Sequence, residues 1–112
     1  MPRYCLTLDL QDDPKKIAEY KRLHRKIWPE VRDSILNAGV TGMEIYLRDT
    51  HLFMIMDVTG DFSFDKKAAM DAANPKVIEW ENLVSNYQAV VPGSDPVRHW
   101  ERMEQIFDLA KQ

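Results

Sequence analysis

One cysteine, four glycines and no long apolar run are the first facts of this 112-residue chain, and each excludes something. A single thiol, Cys5, cannot close an intrachain disulfide, which fits a reducing compartment. It lies in a strand-like run with no histidine near it, so a buried, inert thiol is expected rather than a nucleophile. Gly39, Gly42, Gly60 and Gly93 stand alone, so no glycine-rich loop cradles a phosphate. The longest strongly apolar run, Leu52-Phe53-Met54-Ile55-Met56, is far too short to span a bilayer. Asp9, Asp12 and Asp13 interrupt the N-terminal region too early for a secretory leader. These absences predict a cytoplasmic protein with no membrane partner. A net charge of −3 offers no basic stripe to a polyanion, which argues against nucleic acid. His24, His51 and His99 lack any tight metal-binding spacing, and no serine occupies a nucleophile elbow. Neither a metal nor another cofactor is expected.

What is present reads as one α+β domain over residues 1–112. Tyr4, Leu6, Leu8 and Leu10 alternate with Cys5, Thr7 and Asp9, the pattern of a half-buried strand. Asp13-Pro14 supplies a cap and a first-turn proline for a helix running to about Trp28. Pro29 should kink or break that helix, yet its apolar period continues to Ile35, and Asn37-Ala38-Gly39 stops it. A hairpin follows, with strands near 43–48 and 52–58. Helical pattern returns with Ser63 as cap and Lys67–Ala73 as an alanine-rich run, then restarts at Asn74-Pro75. Residues 88–97 form a long connection. The alternation from Trp100 to Leu109 predicts a last strand, although its helical period is almost as good. The order is β-α-β-β-α-β, the ferredoxin-like split arrangement with helices on one face of an antiparallel sheet. The other face needs a cover, and a second copy packed sheet to sheet makes a homodimer the expectation.

Chemistry has one obvious place to gather. His24 falls on the inward face of the first helix, one turn after Tyr20, and an imidazole can both give and take a proton near neutrality. Trp80 offers a flat surface on which a sugar could stack. Glu44 and Tyr46 from the second strand and Asp57 from the third would join them if the helices cover that strand face, making a small-molecule pocket. A lone histidine on an apolar helix face serves more often as a hydrogen-bonded boundary residue, and tryptophans at helical spacing more often build core. Pattern alone stops at a soluble α+β domain with a one-histidine pocket. His51 reads as a solvated turn residue and His99 as a rim residue.

The segment Tyr20-x-x-x-His24-x-x-Ile27-Trp28-Pro29-Glu30, with Ile45-Tyr46-Leu47, Leu52-Phe53, Asn74-Pro75-Lys76-Val77, Trp80 and Ile106-Phe107, resembles the L-rhamnose mutarotase family over nearly the whole chain. The resemblance implies a dimeric α+β barrel that interconverts the α and β anomers of a 6-deoxy-L-sugar without cofactor or metal. By position it implies His24 as proton donor to the ring oxygen, Tyr20 as a substrate-binding tyrosine and Trp80 as the first of two adjacent sugar-binding tryptophans. Glu81 replaces the second tryptophan, and Met43 replaces a tyrosine early in the second strand. Both departures fall on substrate contacts, so Met43, Glu44, Tyr46 and Glu81 join the expected sugar-binding set. The segments around Met43–Tyr46, Leu52–Met56 and Ala72–Val77 look like the L-fucose branch, which makes L-fucose the first expectation and L-rhamnose the second. The second acid/base group is open among Glu44, Asp57 and Glu81. Rivals of another class are a non-catalytic ligand-binding module and a cofactor-free monooxygenase, the latter disfavoured by those three acids.

Overall fold

Proline placement sets where the helices begin. In the computed structural model, which describes residues 2–89 and 100–112, three helices have proline at their start. Helix α1 (Pro14–His24) is capped by Asp13, whose carboxylate accepts from the Lys15 and Lys16 N–H groups. Helix α2 (Pro29–Asn37) starts after Trp28, which the following proline holds extended at φ −62°, ψ 139°. The first helix therefore ends at His24, a turn earlier than Trp28, and the segment breaks into two helices rather than kinking. Helix α3 (Phe64–Ala72) is capped by Ser63, and α4 (Pro75–Ser85) by Asn74, whose side chain accepts from Lys76 and Val77 N–H.

Strands β1 (Arg3–Asp9), β2 (Val40–Arg48), β3 (His51–Val58) and β4 (Glu101–Arg102) form one antiparallel sheet in the order β2-β3-β1-β4. That is the ferredoxin-like order. Register assigns the two faces. Leu6, Met54 and Ile45 lie in one row and Leu8, Leu52 and Leu47 in the next, all on the face the helices cover. Arg3, Asp57 and Gly42, then Cys5, Ile55 and Glu44, then Thr7, Phe53 and Tyr46, form rows on the opposite face. There Cys5 is half-buried, not buried as a core thiol would be.

The core divides into two clusters. One gathers Leu8, Leu10, Tyr20, Val31, Leu52, Trp80 and Val84 between α1, α2, α4 and the sheet. The other gathers Leu6, Val40, Met54, Met56 and Val58, with Tyr4, Met43, Phe62 and Phe64 around it. Burying each large apolar side chain contributes about 1.5–3 kcal/mol. Between α2 and β2 the chain turns at Gly39, whose φ of +96° suits glycine; a Cβ there would meet the Thr59 hydroxyl at 2.7 Å.

The C-terminal segment departs from the expected long strand. Only Glu101 and Arg102 pair, opposite Thr7 and Leu6. Met103 N–H still donates to the Cys5 carbonyl at 2.7 Å, and the chain then runs on to a short 3₁₀ turn at Leu109–Lys111, leaving Ile106 and Phe107 90% and 63% exposed. Alternation matches the extended chain, but the chain leaves the β1 edge after Met103 although β1 itself continues to Arg3. Of the connection at 88–97, Gln88 and Ala89 pair with the end of β1 (Leu10 with Gln88; Ala89 N–H to Asp9 C=O, 2.8 Å). Residues 90–97 and His99 lie outside the described residues.

Candidate active site

Helix periodicity puts the Tyr20 carbonyl and the His24 ring within reach of each other across one turn. Nδ1 of His24 lies 2.8 Å from that carbonyl oxygen. A carbonyl can only accept, so Nδ1 carries the hydrogen and Nε2 of the neutral ring is left with a lone pair. The ring is also fixed by its neighbours. Tyr20 stacks on it, with centroids 4.3 Å apart and 28° between planes, and Trp80 of α4 meets it edge-on at 5.4 Å and 64°. Trp28, from the break between α1 and α2, meets Trp80 in turn at 5.3 Å and 69°. The extended backbone that proline imposes on Trp28 thus brings it to the wall beside the imidazole. Burial pushes the His24 pKa below its ordinary value, against the opposing pull of the Tyr20 carbonyl. His24 is neutral at pH 7.

Tyr20 is 4% exposed, and burial pushes its pKa up. Its side chain hydrogen-bonds to that of Gln88, itself 5% exposed. Gln88 reaches this place because the chain leaving α4 pairs back onto β1, where Gln11 Nε2 donates to the Gln88 carbonyl at 3.2 Å. Its recruitment was not read from the sequence, although Gln88 continues the Trp80–Val84 spacing one turn past the helix end. Tyr87 adds an edge contact to Tyr20 at 6.5 Å.

Glu81 sits on α4 between buried Val77 and Val84 in sequence but is itself exposed. Lys67 and Asp71 of α3, a half-buried ion pair at 2.6 Å, act on its carboxyl. Crowding raises the Glu81 pKa, Lys67 opposes that rise and Asp71 adds to it.

The expected convergence of Glu44, Tyr46 and Asp57 with His24 does not occur. Helices cover the Met43–Ile45–Leu47 side of β2, because that is its apolar side, and the three polar groups project from the other face. There Tyr46 donates to Glu44 at 3.0 Å, and Asp57 accepts from Arg3 at 2.8 Å in an open hollow of about 420 Å³ that Thr41 and Gly42 complete. That hollow is on the wrong side of the sheet to serve His24. Met43 is on the helix side but packs in the second cluster. The three acids therefore do not gather around His24. No cluster of three or more potential metal ligands occurs among the described residues.

The chain as a whole is similar to proteins of known kind. The profile of the L-rhamnose mutarotase family matches residues 3–109. The chain belongs to that family. It is 41% identical to an L-fucose mutarotase of Xanthomonas campestris pv. campestris, over 99% of this chain and 90% of that protein. It is 30% identical to an L-rhamnose mutarotase of Paraburkholderia phymatum, over 81% of each. The crystal structure of an L-rhamnose mutarotase from Formosa agariphila superimposes with a TM-score of 0.73 at 22% identity, covering 97% of this chain and 99% of that one, which confirms the fold. Membership in a sugar-isomerase family gives Tyr20, His24 and Trp80 a shared context that packing alone did not supply. No helix among the described residues is long and apolar enough to cross a membrane.

Proposed function

We propose that this protein is an L-fucose mutarotase, an isomerase that speeds exchange between the α and β anomers by opening and reclosing the pyranose ring. One geometric observation supports the chemistry: Nδ1 of His24 is committed to the Tyr20 carbonyl, which leaves Nε2 as the nitrogen able to act as a base. In ring opening, Nε2 takes the proton of the anomeric hydroxyl as C1=O1 forms and C1–O5 breaks, and solvent water gives O5 its proton and takes it back on reclosure. The resulting imidazolium returns the O1 proton when the ring recloses on the other face. His24 is thus a proton acceptor before it is a donor, which refines the donor role that the resemblance implied. Trp80 and Trp28 offer apolar faces to the sugar, and Tyr20 and Glu81 its polar contacts. The choice of L-fucose over L-rhamnose rests on the 41% relative against the 30% one. The reaction as drawn routes no step through a cofactor, nucleic acid or membrane, and the single cysteine suits a cytoplasmic location. A homodimer joined through the helix-free sheet face completes the reading.

Exchange spectroscopy on the two anomeric protons of L-fucose tests it directly. The wild-type protein should broaden or cross-correlate the anomers at concentrations where His24→Ala protein leaves the spontaneous rate. A folded wild type that binds the sugar and leaves the exchange unchanged would make this a binding module. Equal acceleration by both proteins would remove His24 from the mechanism.

A further inference from the structure

Tyr20 holds the imidazole twice, through its carbonyl on Nδ1 at 2.8 Å and through its ring, stacked at 4.3 Å. The helix sets the first contact. The second depends on where the tyrosine ring leans, and the hydroxyl at the far end of that ring is the handle by which it can be held. We propose that Gln88 is a positioning residue of this site, whose buried side-chain amide holds the Tyr20 hydroxyl and thereby the ring that fixes His24. The inference rests on the mutarotase reading and deepens it, naming a residue that acts on the base through Tyr20.

Gln88 is itself held in place from several sides. Its N–H donates to the Ser85 carbonyl at 3.3 Å as α4 ends, its carbonyl accepts from Gln11 Nε2 at 3.2 Å, and the residue bridges Leu10 just past β1. Gln11 is anchored in turn: Nε2 also donates to the Asn86 carbonyl at 3.1 Å, and Oε1 accepts from Lys16 Nζ at 2.6 Å. Lys16 and Tyr20 lie one turn apart on α1. The helix that carries His24 therefore grips the segment after α4 twice, at the Gln88 backbone through Gln11 and at the Gln88 side chain through Tyr20. The position continues the Trp80–Val84 row, where an apolar residue would pack without any polar partner. An amide buried there is costly unless it is hydrogen-bonded. Gln88 is 5% exposed and Tyr20 4%, so water is a poor substitute for either partner. The bond favours the phenolate, as an amide N–H given to the tyrosine oxygen does, and it leaves the phenol its own O–H to offer a sugar oxygen.

The test is a double-mutant cycle on L-fucose anomer exchange, pairing Tyr20→Phe with Gln88→Met, which keeps length and volume but has no amide. With Tyr20 in place, Gln88→Met should lower kcat about tenfold, the size of one hydrogen bond, and leave KM within about twofold. In Tyr20→Phe protein the same substitution should change kcat by less than about twofold, because the hydroxyl that Gln88 held is gone. A merely structural role would not make the loss depend on that one oxygen. Equal losses in the two backgrounds, or no loss in either, overturn the inference and leave the mutarotase reading intact. A second measurement needs no variant. In the nuclear magnetic resonance spectrum of wild type, the Gln88 side-chain amide protons should cross-relax with the Tyr20 ring, and the His24 ring protons should lie upfield under the stacked tyrosine. Absence of the Gln88–Tyr20 cross-relaxation overturns the inference even where Gln88→Met folds poorly. Wild type that accelerates exchange of neither L-fucose nor L-rhamnose overturns the mutarotase reading and, with it, this role for Gln88.

Discussion

At the scale of single residues, His24 links chemistry to stability. Its folded-state pKa lies below the ordinary value of 6.5, mainly because burial penalises the cation. The sign follows. Near neutrality both folded and unfolded chains hold the ring uncharged, so it contributes no pH slope. As pH falls through 6.5, the unfolded chain takes up a proton that the folded chain resists, and stability drops until the folded group titrates as well. Denaturant titrations at a series of pH values should therefore show wild type losing stability on acidification faster than His24→Gln, with the two slopes parallel above pH 7. The same titration should draw the acid limb of the activity profile at a pH below 6.5. Parallel slopes throughout would mean that the imidazole is as well solvated folded as unfolded. The residue was visible in the sequence as an imidazole on an inward face. What the sequence could not show was the committed nitrogen, because a hydrogen bond across one turn depends on the helix ending at His24 and on the ring turning back toward Tyr20.

At the scale of elements, legibility followed the strength of local chemistry. Asp13-Pro14, Ser63 and Asn74-Pro75 each mark a helix start by capping a free N–H, and all three starts are where those residues predict them. Pro29 marked a boundary, but the helix before it stops at His24 because the residue preceding proline must be extended and the turn leading to it cannot stay helical. The alternation of β2 separates Met43-Ile45-Leu47 from Glu44-Tyr46-Arg48, and the helices meet the first set, so the condition on which the polar groups would join His24 is not fulfilled. Period two separates faces without naming which is inside; apolar burial decides that, and it favours the first set. The last strand is shorter than its alternation suggests, since an extended pattern does not fix how far a chain follows its neighbour, and here it leaves the β1 edge after Met103. Caps can be weighed. Asn74→Ala removes the one oxygen, Oδ1, that accepts from the Lys76 and Val77 N–H groups at 3.1 and 3.4 Å. It should cost about 1 kcal/mol. Because α4 carries both Trp80 and Glu81, the same variant should weaken activity at high temperature before low. A midpoint shift in denaturant at constant m would confirm a pure stability effect.

At the scale of the whole molecule, the helix-free sheet face remains to be accounted for. Its centre is Cys5, Thr7, Phe53 and Ile55, all half-buried, ringed by the Arg3–Asp57 and Asp9–His51 pairs. Tyr46 is 55% exposed at its margin, and beyond β4 the chain carries Met103, Ile106, Phe107 and Leu109 into solvent. An apolar centre with a polar rim on an otherwise charged surface is the anatomy of an interface. The proposed homodimer would cover it, a two-fold axis setting each apolar row against its own image. Placing a charge at the centre should then break the pair without touching His24, which lies on the far side of the sheet. Ile55→Glu is expected to convert a dimer to a monomer in light scattering, because an unpaired carboxylate buried at the contact costs several kcal/mol. Far-ultraviolet dichroism should be unchanged, since the side chain points away from both core clusters. The activity of that monomer then reports whether the helix-side site is complete in one chain: full exchange rates per protomer would confine the site to His24, Trp80 and Glu81 and their neighbours, and a loss beyond that from reduced stability would show that the pairing of sheets holds the helix-side pocket in shape.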